Sequence, residues 1–339
     1  MRESFFSLSS DDRRDVLRVD AVRGAPAPFI LEKDLWVVWT LQTLFGTALA
    51  DHLTFKGGTS LSKVYRIIER FSEDVDVTVD IRHLIPELAG TSPPPLPTTP
   101  SQAKKWRNAV EQRLDHIIDH VLIPAFNAAA ERDDQAVLIE HAPAQVIILH
   151  VPFVSVEQGL ANTVRIELGG RSTGSPRRRH RVACDLATYR PQLALPHADA
   201  HVMHAERTFW EKATAVHVFC RQEVLSAARL ARHWYDLRAL DRAGVADRAI
   251  ADRALALEVA DHKNVFFREK NANGRFVDYR RAVAGHLQLV PTGRLRAAVQ
   301  EDYEAMLATQ MFAGTPPTFE RLISDCEALQ ARTNAAMRG

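Results

Sequence analysis

Apolar positions recur along this chain with two different periods. Between 31 and 49, Leu35, Val38, Leu41, Leu44 and Phe45 repeat at helical spacing, which predicts a helix there, and a shorter one is predicted over 11–22. Leu53 to Phe55 reads as a short strand that Gly57-Gly58 breaks. Residues 60–69 read as a helix with Thr59 or Ser60 as its N-cap, and 75–79 as the next strand. The stretch 84–102, with Pro93-Pro94-Pro95 inside it, reads as an exposed loop or insertion. A helix is predicted over 104–130, strands over 145–154 and 163–168, a Gly/Ser/Pro/Arg loop over 169–181 and a last strand over 182–186. From 204 onward the period is helical throughout: 204–220, 224–243, 245–259, 295–307 and 319–331.

The pattern therefore predicts an α+β fold in two parts, with no internal repeat. Residues 1–195 form a mixed sheet with helices, and 196–339 form a mainly helical C-terminal domain. The 339 residues are 46% hydrophobic and 25% charged, ordinary values for a globular chain, and this excludes disorder over most of the length. A net charge of +1 gives no global attraction to nucleic acid or membrane. Locally the balance differs: residues 161–240 hold thirteen Lys/Arg against seven Asp/Glu, so an anionic partner should meet that region. Cys184, Cys220 and Cys326 form no CxxC pair and read as buried thiols. The polar N-terminus is unlike a signal peptide, and no apolar run approaches the roughly 18 residues of a membrane span. The chain is read as cytoplasmic, with no membrane partner.

One stretch carries chemistry. Phe55-Lys56-Gly57-Gly58-Thr59-Ser60-Leu61-Ser62-Lys63 precedes Arg70-Phe71-Ser72-Glu73-Asp74-Val75-Asp76-Val77, and together they read strand, glycine turn, helix, strand. Two glycines let backbone N–H groups approach a phosphate closely, and the helix N-terminus adds its positive dipole end. Lys56, Gly57, Gly58, Thr59 and Ser60 are thus the candidate nucleotide-binding residues. Asp74 and Asp76 sit two apart, so their side chains leave one face of the strand while Val75, Val77 and Val79 leave the other. Paired carboxylates suit a hard cation such as Mg²⁺. A lone DxD is usually a solvated strand end and a lone GG usually a turn; their conjunction, in this order, is the signal.

This run resembles the polymerase-β-like nucleotidyltransferases, and more narrowly the AbiEii/AbiGii toxin family. The same family's lead-in helix resembles "EKDLWVVWTLQTLF" from Glu32, and its later motifs resemble "ERTFWEKATAVH" from Glu206 and "RHWYDLRAL" from Arg232. The resemblance implies a metal-dependent nucleotidyltransferase that uses two Mg²⁺ ions, or Mn²⁺ in their place, with an NTP as substrate. It implies a toxin with a cognate antitoxin, acting in growth arrest or phage defence, and an RNA acceptor, the 3′ end of tRNA leading. A protein-modifying transferase of the AMP-attaching kind and a non-catalytic NTP-binding module are the alternatives. The resemblance calls for a third metal carboxylate beside Asp74 and Asp76; Glu167, on the polar side of the alternating Val164–Leu168 run, is the first choice and Asp185 the rival. It also assigns Lys212 to the nucleotide phosphates and Asp236 to orienting Lys212 or the nucleotide. On residues alone, Lys212 reads as a surface lysine and Asp236 as a partner of Arg232.

Two basic groups stand open between solvated surface and RNA contact. They are the arginines of the 171–181 loop, Arg177, Arg178 and Arg179 among them, and the cluster His262, Lys263, Phe266, Phe267 and Arg268. His116/His120 and His197/His201 have HxxxH spacing but lack the Glu of a zinc-protease motif, and read as chance pairs.

Overall fold

The structure is a computed structural model and describes residues 2–19, 26–91, 96–155, 161–222, 229–308, 312 and 314–338. The chain divides into two compact units. The first comprises Met1–Tyr65, Phe71–Pro95 and Lys105–Met203; the second comprises Arg66–Arg70, Leu96–Lys104 and His204–Gly339.

The elements of the first part run α1 (Ser10–Leu17), α2 (Pro28–Phe45), β1 (Leu53–Lys56), α3 (Gly57–Lys63), β2 (Val75–Val79), α4 (Ile81–Leu84), α5 (Pro86–Ala89), α6 (Pro100–Ile117), α7 (Ile123–Arg132), β3 (Leu138–Ala142), β4 (Val146–His150), β5 (Thr163–Gly169), β6 (Arg177–Ala183), α8 (Leu186–Tyr189) and β7 (His197–Met203). The strands form one mixed sheet in the order β3-β4-β5-β2-β1-β7-β6. β2 runs parallel to β5 and β1 parallel to β7, and the other neighbours are antiparallel. Period-two alternation puts Val202, Phe55, Val77 and Leu168 in one row across β7, β1, β2 and β5, all buried. α2 lies against β7, β5 and β2.

Several expectations are corrected in detail. The helix after the glycines starts at Gly57 itself and ends at Lys63, so Lys56 is the N-cap and Thr59 and Ser60 lie within the helix. The 84–102 stretch is not all exposed loop, because α5 lies in it and Ile85 and Ala89 are buried; its triple proline falls outside the described residues. The predicted 104–130 helix starts at Pro100 and passes through a π segment, Ile118–Leu122, where Pro124 has no N–H to continue the ladder. β6 begins at Arg177, inside the expected loop, and ends at Ala183; Asp185 instead caps α8. β3 and β7 are strands the pattern did not announce. Of the predicted 11–22 and 224–243 helices, positions 20–22 and 224–228 lie outside the described residues.

The second unit carries α9 (Ala205–Gln222), α10 (Ala231–Arg242), α11 (Val245–Ala251), α12 (Arg253–Phe266), α13 (Tyr279–Arg281), a kinked π segment Ala282–His286, α14 (Gly293–Ala308) and α15 (Phe319–Arg338). The expected 245–259 helix is two helices, divided at Asp252, whose carboxylate accepts the Leu255 N–H at 3.0 Å. Phe209, Ala213 and Val216 of α9 face the core, as their spacing predicts.

α2 has a feature that simple burial would forbid. It is apolar on nearly all sides, as a central helix should be, yet Glu32, Lys33 and Asp34 are consecutive and each is 1% exposed. Each is satisfied by a different part of the first unit. Glu32 accepts the N–H groups of Val154 and Ser155 at 2.7 and 2.8 Å, and the Ser155 hydroxyl. Lys33 donates to the Ala161 carbonyl at 2.8 Å and pairs with Glu73 at 3.1 Å. Asp34 pairs with Lys63 at 2.5 Å and accepts the Asp185 N–H at 2.7 Å. Burial works against the Lys63 ammonium, but Asp34 and Asp185 outweigh it and lift its pKa above the ordinary lysine range. Breaking a buried pair leaves its partner uncompensated. Asp34→Ala should therefore lower the unfolding free energy by about 3 kcal/mol in urea titrations followed by tryptophan fluorescence; a change within about 0.5 kcal/mol would show the pair to be dispensable.

Candidate active site

Three adjacent strands set the site of the first unit. Antiparallel register places Lys56 of β1 opposite Asp76 of β2, and parallel register places Asp76 beside Glu167 of β5. Their side chains share the face opposite the buried Val77 row. Glu167 is half exposed and accepts from Arg165 Nε at 3.0 Å. Asp76 is partly buried, and Asp74, one step before β2, is buried. Asp185, the rival to Glu167, is held by Lys63 at 2.9 Å.

The glycine turn is fitted to Asp76. Gly57 has φ +77°, in the left-handed region, and a Cβ built on it would overlap the Asp76 carboxylate. Glycine at 57 is thus required twice, once by the backbone and once by the acid it touches. Thr59 is fully buried; its hydroxyl donates to the Asp74 carbonyl and so accepts from the Ser72 hydroxyl at 2.9 Å. That bond ties α3 to the chain entering β2. The Ser60 hydroxyl donates to the Gly57 carbonyl at 2.9 Å. Both hydroxyls therefore shape the turn, and what the turn itself offers outward is its backbone N–H groups. Lys33, which pairs with Glu73, holds the residue immediately before Asp74.

Among the described residues, no three His, Cys, Asp or Glu side chains are gathered into a metal-holding group. The donor set still fits a hard divalent cation: two carboxylates in register on neighbouring strands and a third two residues before Asp76, all oxygen ligands. Glu167 would have to exchange Arg165 for the cation.

In the second unit, Asp236 is completely buried on α10 and sits between two cations. Arg70 binds it with two parallel bonds of 2.8 Å, Nε to Oδ1 and a terminal nitrogen to Oδ2, and Lys212 of α9 pairs with it at 2.9 Å. Burial alone would raise the Asp236 carboxyl, but Arg70 and then Lys212 outweigh it and hold it well below the usual carboxylate range. Arg70 was not singled out by sequence reasoning, although it opens the Arg70–Val77 run. The only sequence signal for it is adjacency.

The remaining candidates separate. Arg177 is structural, donating to the Leu53 carbonyl and Thr54 hydroxyl at 3.0 Å each and to the Asp51 carbonyl at 2.7 Å. Arg178 and Arg179 lie exposed on β6, an edge strand, and Arg171 reaches Glu111 at 3.3 Å. Lys263 donates to the Glu211 carbonyl at 2.8 Å, Phe266 is buried, and His262 packs on both Phe266 and Phe267. His116 and His120 stack on each other at 4.2 Å, while His201 pairs with Asp51 at 3.5 Å. No described helix is long and apolar enough to cross a membrane.

Gly57→Ala should cost roughly 1–2 kcal/mol of stability for its left-handed backbone, leave the chain folded, and displace Asp76. Calorimetric titration with NTP and Mg²⁺ should show affinity reduced by on the order of tenfold or more; wild-type affinity in the folded variant would contradict the fitted turn.

A family model described as the nucleotidyl transferase AbiEii toxin of a type IV toxin–antitoxin system matches residues 39–325. That span contains the glycine turn, Asp74, Asp76, Glu167, Lys212 and Asp236. No curated protein matches. Among solved structures the chain is similar to the MenT4 nucleotidyltransferase toxin from Mycobacterium tuberculosis H37Rv, at 15% identity over 98% of each chain with a TM-score of 0.40. With residues 39–325 of its 339 matched, this chain belongs to the AbiEii family of nucleotidyltransferase toxins of type IV toxin–antitoxin systems.

Proposed function

We propose that the protein transfers a nucleoside monophosphate from an NTP to an acceptor hydroxyl, the 3′ end of tRNA, in the cytoplasm, and that this arrests growth or limits phage until a cognate antitoxin opposes it. The observation that carries the reading is the row Lys56, Asp76 and Glu167 across β1, β2 and β5, beside a glycine that only glycine can be. Asp74, Asp76 and Glu167 would hold two Mg²⁺ ions, for which Mn²⁺ could substitute. Ions bound there would neutralise triphosphate charge and make the acceptor hydroxyl a better nucleophile. The register favours Glu167 over Asp185 as the third carboxylate, since Glu167 lies beside Asp76 on the neighbouring strand.

The chain's own groups supply positioning. The turn from Gly57 to Ser60 presents backbone N–H groups and the helix N-terminus to phosphate, with Lys56 and Gly58 flanking it. Thr59 keeps that turn at a fixed distance from Asp74. Lys212 is the cation for the nucleotide phosphates, where charge grows as pyrophosphate leaves. Asp236 is its positioning residue and Arg70 the counterweight that keeps Asp236 ionised.

The test is incubation with each labelled NTP, Mg²⁺ and either total cellular RNA or total protein. Label should enter RNA of tRNA size, and Asp76→Ala and Glu167→Gln should each reduce it by at least about a hundredfold. Label in protein instead would assign a protein acceptor, and full activity in either variant would remove the carboxylate row from the reaction.

A further inference from the structure

The helical unit holds a concavity of about 500 Å³ that the reading above does not use. Four arginines line it, Arg221, Arg275, Arg281 and Arg338, against one acidic residue, Asp278. Asp278 accepts the Arg281 backbone N–H at 3.1 Å as the cap of α13. Arg338 donates to the Gly285 carbonyl at 3.0 Å, and Gly285, at φ +95°, leaves it room, because a Cβ there would overlap the arginine stem. His217 accepts the Gln288 N–H at Nδ1, 3.0 Å, and burial, together with Arg221, pushes its pKa down to about 4. It is therefore a neutral ring carrying its proton at Nε2, a donor without a charge.

Several arginines of this unit bind acids: Arg238 binds Asp325 at 2.7 Å, Arg248 binds Glu206 at 2.7 Å, Arg207 binds Glu258 at 2.6 Å, and Arg280, next to Arg281, binds Asp261. Others turn to carbonyls or rings, as Arg253 does to the Ala336 carbonyl and Arg296 to Phe319. Among the described residues, Arg221, Arg275 and Arg281 have no such acid, and all three border one cavity. Beside them stands Phe276, 52% exposed, with the Arg268 guanidinium 4.0 Å from its ring centre and Lys270 at 5.5 Å. A fixed turn presents both: the Asn271 side chain accepts the N–H groups of Asn273 and Arg275 at 3.0 Å each, and Gly274 takes φ +74°.

We propose that this concavity is a phosphate-binding subsite for an RNA backbone, with Phe276 and Arg268 a stacking surface for a neighbouring base. Unpaired arginines around a cavity fit a phosphodiester, and a half-exposed aromatic with a guanidinium against it is what an unpaired base stacks on. A free nucleotide phosphate offers the same anion, but it has no need of a stacking group outside the cavity. The subsite rests on the RNA-acceptor reading only for the identity of its ligand.

Binding of labelled, unfractionated tRNA without NTP, by anisotropy between about 50 and 200 mM salt, tests it. The triple variant Arg221→Ala/Arg275→Ala/Arg281→Ala should bind tRNA at least about tenfold more weakly, with a log–log salt slope reduced by roughly 2 to 3. The matching triple Lys variant should keep most of the slope. Phe276→Ala should lower affinity at least about fivefold with the slope unchanged. ATP and pyrophosphate affinities should stay at wild-type values in all of them. Unchanged tRNA affinity and slope in the triple Ala variant would overturn the subsite. Loss of ATP or pyrophosphate binding with tRNA binding intact would overturn the RNA assignment in favour of a free phosphate. Since no NTP is present, tRNA bound here but never labelled by transfer would count against the acceptor alone.

Discussion

Three consecutive buried charges on α2 are the constraint on which the first unit depends. Removing a charge from water is costly, and a helix with three in a row is tolerable only if each finds a fixed partner. Glu32, Lys33 and Asp34 do, and their partners are the segments that surround the carboxylate strand: the 154–155 backbone after β4, Glu73 just before Asp74, and Lys63 at the end of α3. The helix thereby locates both the start of β2 and the far end of the glycine-turn helix. Thr59 closes the arrangement from inside, bonding α3 to the Asp74 carbonyl. Asp76 is then left against a glycine with no side chain to displace it. An apolar helix in the same position would pack as well, but it would not fix these segments by direction.

The second unit also fixes a buried charge with direct partners. Asp236 is one buried acid with two cations, and its carboxylate is satisfied on both oxygens. A lysine held by its ammonium has fewer accessible rotamers than one on a free surface, so less entropy is lost when it meets a ligand. Arg70 makes the pair asymmetric in chain terms, because it belongs to the five residues that leave the sheet unit between α3 and β2.

Much of this was legible in the chain. Alternation of valines with acids located β2, and glycine spacing located the turn, because both are local effects of backbone geometry. The α9 core face followed from Phe209, Ala213 and Val216. The boundary of α3 was misplaced because Thr59 and Ser60 have the chemistry of N-caps but spend it on Asp74 and Gly57. β6 was hidden by its arginines, which an edge strand with a solvent face can carry. β7 was hidden because its inward residues Ala198 and Ala200 are small and follow Pro196, a composition that imitates a linker. The pairing of Asp236 with Arg70, 166 residues away, is a tertiary fact that no local period encodes. Nor does any local period encode the burial of Glu32, Lys33 and Asp34.

The central claim is that Asp76 and Glu167 act together on one divalent cation that an NTP shares. Mn²⁺ binding followed by electron paramagnetic resonance, with and without a non-hydrolysable NTP, tests it most directly. Wild-type protein should bind Mn²⁺ weakly alone and much more tightly with the nucleotide, and Asp76→Asn and Glu167→Gln should each abolish the enhancement while the double variant is no worse than either. Undiminished nucleotide-enhanced Mn²⁺ binding in Asp76→Asn would contradict the account.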